Sequence, residues 1–599
     1  MSRVLNPRRL GLAVVVVSFC LPLFVGLGRT DLETDEAIYS FAVDRILESG
    51  DWLAPKSSPS ETDVFLEKPP LKFWIVAAGI KAGLLPHTEF GLRFWDALFG
   101  GLAFVYVYLI GCALANPLCG VVAVLLLFVH GPLLFEHGLR SNNMESALVL
   151  SYCGGVWHFL RWSESDAPDR QRLHAVAVGL FFVLGFMVKF VAALFLPVVL
   201  LVGAFAEPST RQQITRAWRL WTAVLAFVFL LIAPWFIYAQ LRFPRLWDTM
   251  AGTHVYVRFT SSLNSTHLQP WNFYFSSIYQ HFADSKVAWL VLLGTAALFV
   301  SALLRRSPVA WVVLVWAALP LVLISFGTSK LYHYAFPFLP PLTLAAGYVA
   351  TVALVVARAP ARKVLRAAES RIVRWWPALA TARDARWLQF VTSAAIWLAA
   401  CFAVAGAIDM PIRVTVTHGL VVKSTGVLRP LLTIVLAAVV AGRSARAVQL
   451  VALITILSIA PLGAYVATLS RLGVEKHPIR SVRDCIRDVQ ARDVHLRLGL
   501  YADIDGPISH PSYYYLRQVR PWTRQETPRP GALDQNVHDP SAWRPSLVDE
   551  TRYRAYKSGP EAHRFSGVSP PLVSIPDQIL FLPGPYTVCS PEATLHGPR

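Results

Sequence analysis

Charged side chains recur beside apolar stretches of this sequence in a pattern that suits phosphate chemistry. Lys68, Lys189 and Lys330 lie beside or inside apolar segments, and an acidic pair, Asp35–Glu36, precedes them. Lysine ammonium groups are compact charges suited to phosphate oxygens, and a carboxylate can act as a general base. Together they predict a site in which a carboxylate accepts a proton while lysines offset the charge on a leaving phosphate.

Each of these residues, taken alone, also has a structural explanation. Asp35 and Glu36 would suit the first turn of a short helix, where acidic side chains are stabilised. Lys68 and Lys330 lie at the ends of apolar segments, where lysines commonly anchor a helix. Lys189 is harder to explain in this way, because a cation inside a long apolar stretch is costly and is a functional candidate by default.

The elements that must position these residues are membrane-spanning helices. The chain has 599 residues, of which 55% are hydrophobic and only 15% charged, and its mean hydropathy is +0.48. A soluble domain usually has about one quarter charged residues. Many apolar segments reach about 18–20 residues, which predicts a polytopic all-α membrane protein with about thirteen transmembrane helices. The count stays open near 70–140, where either one segment fails to cross or Gly131–Pro132 breaks a helix.

The basic residues indicate which loops share a side of the membrane. The net charge of +18 favours basic cytoplasmic loops and anionic lipid headgroups over a nucleic-acid partner. The most basic stretch, Arg358–Arg386, lies between two apolar segments and is predicted to be cytoplasmic. The segments expected on the opposite face are 30–69, the turns at Lys189 and Lys330, the loop 240–286 and the tail from 471.

The chain is therefore predicted to have a transmembrane catalytic domain, 1–470, and a small extracytoplasmic α/β domain, 471–599. Apolar residues at helical spacing predict a surface helix within the loop 30–69. In the tail, a helix is expected near Ser481–Gln490 and strands near His495–Tyr501 and Gln578–Leu582. Cys485 and Cys589 could form a disulfide if the tail faces an oxidising compartment.

The motifs in these loops resemble those of the GT-C-fold transferases typified by the lipid A aminoarabinose transferase, with protein O-mannosyltransferases as more distant relatives. The resemblance runs from about residue 30 to 345, and its ordered series of motifs is specific. The motifs are Asp35-Glu-Ala-Ile-Tyr39, Ser49-Gly-Asp-Trp52, Glu67-Lys-Pro-Pro-Leu71 with Trp74, Gly185-Phe-Met-Val-Lys189, His267-Leu-Gln-Pro-Trp-Asn-Phe-Tyr274, and Ser329-Lys-Leu-Tyr-His-Tyr334 with Pro337.

The resemblance implies a role for each matching position. Asp35 would be the general base, and Glu67 and His254 would bind a divalent cation, expected to be zinc. The donor phosphate would lie among Lys68, Lys189, Lys330 and Tyr334. Further candidates within or beside the motifs are Glu36, Tyr39, Glu145 and His267.

Three departures from the family pattern qualify these roles. Ile38 stands where the family often has arginine, so one contact to the phosphate or sugar is either missing or supplied by Arg45 or Arg140. Asn142–Asn143 stand where an acid is frequent, with Glu145 as a substitute. Phe190 follows Lys189 where the aminoarabinose enzyme usually has glycine.

The resemblance implies an inverting glycosyltransferase that moves a sugar from a polyprenyl-phosphate donor to a lipid A, glycan or protein acceptor. It would lie in a bacterial inner membrane, with the active site and tail facing the periplasm. The alternative is a transporter or flippase for polyprenyl-linked lipids, which Lys189 would suit. Two observations favour the enzyme. The polar groups cluster on one face, and no pair of interrupted helices, which would be typical of a transporter, stands out in corresponding halves of the sequence.

Overall fold

Apolar segments of the sequence fold as helices long enough to cross a membrane. The computed structural model describes residues 6–56, 64–262, 264–305, 307–378, 386–407, 412–417, 420–424, 426–441, 459, 461–492, 499–501, 510–516, 546–549, 554, 558–559, 573–575 and 579–582. Within that part of the chain, eight helices have the length and composition of a membrane span: 7–24, 89–114, 168–193, 218–242, 288–305, 308–325, 332–356 and 387–406.

The described part of the chain contains the following helices. They are α1 (Pro7–Val15), α2 (Thr34–Ser49), α3 (Leu71–Lys81), α4 (Glu89–Leu114), α5 (Pro117–Phe128), α6 (Gly131–Phe135), α7 (Glu145–Ser163), α8 (Pro168–Lys189), α9 (Phe195–Phe205), α10 (Pro208–Arg216), α11 (Trp218–Arg242), α12 (Arg258–Thr260), α13 (Phe273–Asp284), α14 (Ala288–Arg305), α15 (Pro308–Ser325), α16 (Leu339–Trp375), α17 (Arg386–Ala407), α18 (Leu428–Ala441), α19 (461–471), α20 (Pro478–Arg492) and α21 (His510–Leu516).

The polytopic helical membrane architecture is thus confirmed, while the count of about thirteen spans stays a prediction. Several apolar segments form helices that are shorter than a span. Helix α3 has 11 residues within the predicted span 70–85, and at about 1.5 Å per residue it is roughly half a bilayer core in length. Helix α5 ends at Phe128, and α6 begins at Gly131. Both explanations for the uneven count near 70–140 therefore have a structural counterpart.

The chain divides into two units. The first, here called the membrane unit, comprises Met1–Val25, Leu66–Lys72 and Asp96–Leu472, and the second, here called the tail unit, comprises Gly26–Phe65, Phe73–Trp95 and Gly473–Arg599. In the membrane unit, α7 packs along α8, α14 and α5 along α16, and α9 along α15. A two-stranded antiparallel hairpin, β1 (Ile412–Thr417) and β2 (Leu420–Ser424), lies between α17 and α18 and was not predicted.

In the tail unit, helix α2 confirms the helix predicted within the loop 30–69. It begins with a capping box, in which Glu33 and Glu36 satisfy each other's backbone N–H groups, and it ends at Gly50, whose φ is +72°. Most of its side chains from Ala37 to Ile46 are buried, including Phe41 and Asp44. The sequence spacing thus marks a packed face on this helix, while its location along the membrane surface stays a prediction.

The C-terminal part of the tail unit combines helices with a four-stranded sheet. Helix α20 confirms the helix predicted near Ser481–Gln490. The strands β3 (Gly499–Tyr501), β4 (Ser546–Asp549), β5 (Val573–Ile575) and β6 (Ile579–Leu582) have the order β3-β4-β6-β5, and β3 with β4 is the parallel pair. The strands expected near Tyr501 and Leu582 are present. Cys485 is disulfide-bonded, whereas Cys589 lies outside the described residues.

Candidate active site

A buried lysine–glutamate pair forms the centre of the candidate site in the membrane unit. Helices α7 and α8 are joined by the short connection 164–167, so the first residue of one lies beside the last residue of the other. Those residues are Glu145 and Lys189, and the ammonium donates to Glu145 Oε1. Each charge suits its helix end, because acids are stabilised at N-termini and bases at C-termini. The packing of one helical hairpin therefore holds the pair.

Two aromatic residues of the Ser329–Tyr334 segment lie beside this pair. The Lys189 ammonium is 5.0 Å from the centroid of the Tyr334 ring, within cation–π range. His333 Nε2 is 3.7 Å from Glu145 Oε1, and the His333 ring stacks on that of His137 at 4.8 Å. The segment thus supplies an aromatic wall and an imidazole to the Glu145–Lys189 pair.

Arg258 adds a further cation to this group. Its Nη1 donates to the Tyr334 hydroxyl at 2.5 Å. The backbone carbonyl of Arg258 accepts a hydrogen bond from the Ser329 N–H at 3.0 Å, which holds the two segments together. Two donors here, Arg258 Nε and Ser329 Oγ, are buried and have no hydrogen-bond partner within the described part of the chain. Buried polar atoms are rarely left in this state, so the pair indicates a place for a ligand oxygen.

The Glu67–Lys68 motif meets the loop 240–286 in the same unit. Glu67 Oε1 is 3.5 Å from His254 Nε2, and Glu67 Oε2 is 3.9 Å from Lys68 Nζ. The charge of Lys68 acts on both His254 and His333, which joins this motif to the Lys189 group. Burial lowers the pKa of His254, an effect that Arg258 and Lys68 reinforce and Glu67 opposes. His254 is therefore a neutral imidazole at pH 7.

The charges gathered here leave a small positive excess. Lys68, Lys189 and Arg258 carry three positive charges, and Glu67 and Glu145 carry two negative ones. With His254 neutral, these five side chains have a net charge of one positive. A phosphodiester carries one negative charge, so the cluster is suited to an anion of that kind.

Lys330 and His267 are brought together through the main chain. The Lys330 N–H donates to the His267 carbonyl at 2.9 Å, and Lys330 Nζ donates to the Gln269 carbonyl at 3.0 Å. Burial lowers the pKa of the Lys330 ammonium. These contacts fix the start of the segment that carries His333 and Tyr334, with His267 acting through its backbone.

Asp35, Glu36 and Tyr39 lie on α2 in the tail unit. Glu36 forms a buried bidentate ion pair with Arg93, at 2.7 Å from Nε and 2.6 Å from Nη2. It also accepts from the Glu33 N–H at 2.9 Å. The structural explanation given above, an acid that caps the helix, therefore accounts for Glu36. Tyr39 packs against Phe65 and Phe73, while Asp35 lies in the first turn of α2.

Arg140 lies in the membrane unit, and its guanidinium forms hydrogen bonds with main-chain carbonyls. It donates to the Leu23 carbonyl at 2.9 Å and to the Val25 carbonyl, and it lies 5.8 Å from the centroid of the Phe135 ring. These carbonyls end the short helix Leu21–Phe24 and would otherwise lack donors. In this structure Arg140 therefore anchors the end of the first span.

The proposed metal ligands Glu67 and His254 are adjacent but do not complete a metal site. No third His, Cys, Asp or Glu joins them within the part of the chain that the structure describes. Catalytic zinc sites in proteins usually have three protein ligands. Zinc binding by Glu67 and His254 therefore stays a prediction.

The candidate residues selected from the sequence did not include Arg258, His333 or His137. Arg258 lies four residues beyond His254, a helical spacing that places both on one side of the segment 248–260. His333 lies within the Ser329–Tyr334 motif, between two residues that were selected. The spacing to His254 was thus the signal for Arg258, whereas nothing local marks His137.

Phe190, the departure that follows Lys189, has an unusual backbone conformation. Its φ is +32°, in a region where residues with a Cβ are strained and glycine is not. Its ring packs against Phe186 at 5.0 Å and Phe236 at 5.8 Å, which offsets the strain. A glycine at this position would relieve that strain, and the sharp turn ends α8 at Lys189.

Comparison with known proteins supports the resemblance that the loop motifs indicated. Residues 67–238 match the family model for dolichyl-phosphate-mannose-protein mannosyltransferase. The chain is 28% identical over 341 residues to the undecaprenyl phosphate-alpha-4-amino-4-deoxy-L-arabinose arabinosyl transferase of Pseudomonas savastanoi pv. phaseolicola, covering 56% of this chain and 59% of that relative. A second such transferase, from Pseudomonas fluorescens strain Pf-5, is 27% identical over 57% of this chain and 56% of its own length.

The fold is similar to that of ArnT from Cupriavidus metallidurans, a structure solved bound to undecaprenyl phosphate. The TM-score is 0.56 at 18% sequence identity, and the match covers 96% of this chain and 97% of that one. The same protein in the apo state gives the same values. The predicted likeness to GT-C transferases is therefore confirmed at the level of fold, while the sequence alignments span somewhat more than half of the relatives.

Proposed function

We propose that this chain is an inverting glycosyltransferase that moves a sugar from a polyprenyl-phosphate donor to an acceptor on the extracytoplasmic face of a membrane. The observation that carries the proposal is the group formed by Lys68, Lys189, Arg258 and Tyr334. Within the described part of the chain, its buried donors Arg258 Nε and Ser329 Oγ have no hydrogen-bond partner. Such a group suits the phosphodiester of a lipid-linked sugar. The named transferases and the shared ArnT-like fold support the same chemistry.

In the proposed reaction, Asp35 accepts a proton from the acceptor as the acceptor atom attacks C1 of the sugar. The bond between C1 and the phosphate oxygen breaks, and the polyprenyl phosphate leaves with the electron pair. Lys68, Lys189 and Arg258 offset the additional charge on that phosphate. One displacement inverts the configuration at C1. The role of Asp35 rests on the sequence resemblance, and that of the cations rests on their geometry.

The donor and acceptor can be proposed only by class. The lipid carrier is undecaprenyl phosphate, as in the name of the Pseudomonas relatives, and 4-amino-4-deoxy-L-arabinose is the first sugar to test. Lipid A, a surface glycan and an exported protein are the acceptor classes. We further propose that the protein is a bacterial inner-membrane enzyme, with residues 471–599 forming an α/β domain on the periplasmic side.

The decisive experiment measures sugar transfer in reconstituted protein. With a radiolabelled polyprenyl-phosphate sugar and an acceptor, the wild-type protein should release polyprenyl phosphate. Asp35→Asn should abolish release while retaining donor binding. Glu48→Gln is the matched control, because Glu48 lies on the same helix as Asp35, its side chain is 56% exposed, and it belongs to none of the family motifs. Full turnover of Asp35→Asn would remove the base assignment.

The flippase alternative predicts a different result in the same vesicles. Intact donor would move between leaflets without release of the sugar, and Asp35→Asn would leave that movement unchanged. The named relatives that the chain resembles are transferases, which favours the enzyme. Leaflet movement without transfer, given all three acceptor classes, would overturn the proposal.

A further inference from the structure

The C-terminal segment of the tail unit holds the stretch of chain that leads into α2. The carboxylate of Asp31, four residues before Asp35, accepts from the Ile479 N–H at 2.7 Å and from Arg480 Nε at 2.8 Å. Ile479 belongs to the first turn of α20, so Asp31 caps that helix from a distant part of the sequence. The Asp31 N–H donates in turn to the Lys476 carbonyl at 2.8 Å.

A second contact from the same segment fixes the next residue. The buried Tyr515 hydroxyl accepts from the Leu32 N–H at 2.9 Å and donates to Glu89 Oε1 at 3.0 Å. Arg480 Nη1 is 3.4 Å from the other oxygen of Glu89. Tyr514 packs edge-on against Phe41 of α2, with ring centroids 5.3 Å apart. Helices α20 and α21 therefore contact both the approach to α2 and the body of that helix.

Arg93 holds the same stretch from another direction. Its guanidinium donates to the carbonyls of Leu27, Thr30 and Asp31 at 2.8–3.0 Å, in addition to its ion pair with Glu36. The main chain from Leu27 to Leu32 is thus bonded to Arg93, Arg480 and Tyr515 within one unit. This is much more restraint than a surface loop normally carries, and it ends at the turn that presents Asp35.

We propose that Arg480 and Tyr515 are positioning residues for Asp35, so that the C-terminal segment sets the geometry of the general base. The inference rests on the proposed function, because it takes Asp35 as the base. A base displaced by about 1 Å loses much of its rate advantage, with roughly 100-fold effects known for such misplacement. The C-terminal segment then contributes to turnover without touching the donor phosphate.

The test compares Arg480→Met and Tyr515→Phe with the wild-type protein in the transfer assay. Both variants should lower kcat by roughly 10- to 100-fold, while the affinity for unlabelled polyprenyl phosphate stays unchanged, because the cations that bind phosphate lie in the membrane unit. Arg480→Lys, which keeps the charge, should recover part of kcat. Arg487→Met, a change at an exposed position on the same helix, is the control and should behave as wild type.

A measurement that does not depend on activity separates this inference from the proposed function. Hydrogen exchange in the full-length protein should rise at the Asp31 and Leu32 amides in Arg480→Met and Tyr515→Phe, and stay unchanged in Arg487→Met. Unchanged exchange, or raised exchange with full kcat, would overturn the positioning role even if Asp35→Asn is inactive. Lack of turnover in the wild-type protein would instead overturn the proposed function and, with it, the positioning role.

Discussion

Two buried lysine–carboxylate pairs in the membrane unit have the same chemistry but different surroundings. Lys72 and Asp96 are 2.5 Å apart, and their side chains are 1% and 0% exposed. Lys72 also donates to Asn142 at 3.1 Å, and Asp96 accepts from Ser146 at 2.5 Å. This pair is enclosed by its own hydrogen bonds, which is how a structural ion pair is kept in an apolar interior.

The pair formed by Lys189 and Glu145 is more open and has a different kind of neighbour. The side chains are 14% and 4% exposed, and they lie beside Tyr334 and His333. A partly accessible cation beside an aromatic ring and an imidazole can exchange its carboxylate for a ligand phosphate. We therefore propose a structural role for Lys72 and a binding role for Lys189, although the sequence presents both as lysines near apolar segments.

The largest expected effect is on stability, at the enclosed pair. Asp96→Leu leaves the Lys72 ammonium buried without its counter-charge, which should cost about 3–5 kcal/mol of unfolding free energy. Thermal unfolding in detergent, followed by tryptophan fluorescence, measures the loss. The double variant Lys72→Met/Asp96→Leu should recover most of it, because no unpaired charge is left. A double variant as unstable as Asp96→Leu alone would contradict the structural role.

The open pair, Lys189 and Glu145, was easier to predict from the sequence than the enclosed pair, Lys72 and Asp96. Lys189 was selected because a cation inside an apolar stretch is expensive, and Glu145 because it replaced a missing acid. Their pairing could also have been predicted, since each lies 22 residues from Ala167 in the connection between α7 and α8. Lys72 and Asp96 gave no such signal, because their pairing depends on how α3, α4 and α7 meet in three dimensions.

The same reasoning explains what was predicted elsewhere. Helix α2 was located from the helical spacing of its apolar residues. Glu36 was one of two acids with an uncertain role, and only the fold shows that Arg93 pairs with it. The network between Asp31 and Arg480 joins residues 449 positions apart, a contact that no local pattern in the sequence could indicate.

The second prediction concerns donor affinity at the open pair. Lys189→Met should weaken binding of polyprenyl phosphate by about 10- to 100-fold, since a hydrogen bond to a charged group contributes about 1.5–3 kcal/mol. Equilibrium binding of a radiolabelled polyprenyl phosphate measures it. Lys286→Met removes the same charge at an exposed loop position and is the control. Equal affinities in the two variants would mean that Lys189, like Lys72, stabilises the fold and does not bind the donor.

The third prediction separates the hydroxyl of Tyr334 from its ring. Tyr334→Phe keeps the face beside Lys189 but removes the oxygen that accepts from Arg258, so Arg258 is held less firmly. Donor affinity should fall by roughly 2- to 10-fold, the size of one net hydrogen bond. Tyr348→Phe is the matched control, because it removes a hydroxyl bonded to Ser301 on helices α16 and α14. A loss of the same size in both would indicate a general packing effect.

The smallest expected effect is a pH dependence at His254. Burial lowers its pKa in the folded protein below the ordinary value of about 6.5. The folded state therefore favours the neutral imidazole, and this contribution to stability is present above the unfolded pKa and is lost as the pH falls through the folded one. Between pH 7.5 and 5, the melting temperature of the wild type should fall more than that of His254→Gln, which cannot be protonated. Parallel curves for the two proteins would show that the fold does not hold His254 neutral. The net charge of one positive assigned to its group of charged neighbours would then be too low.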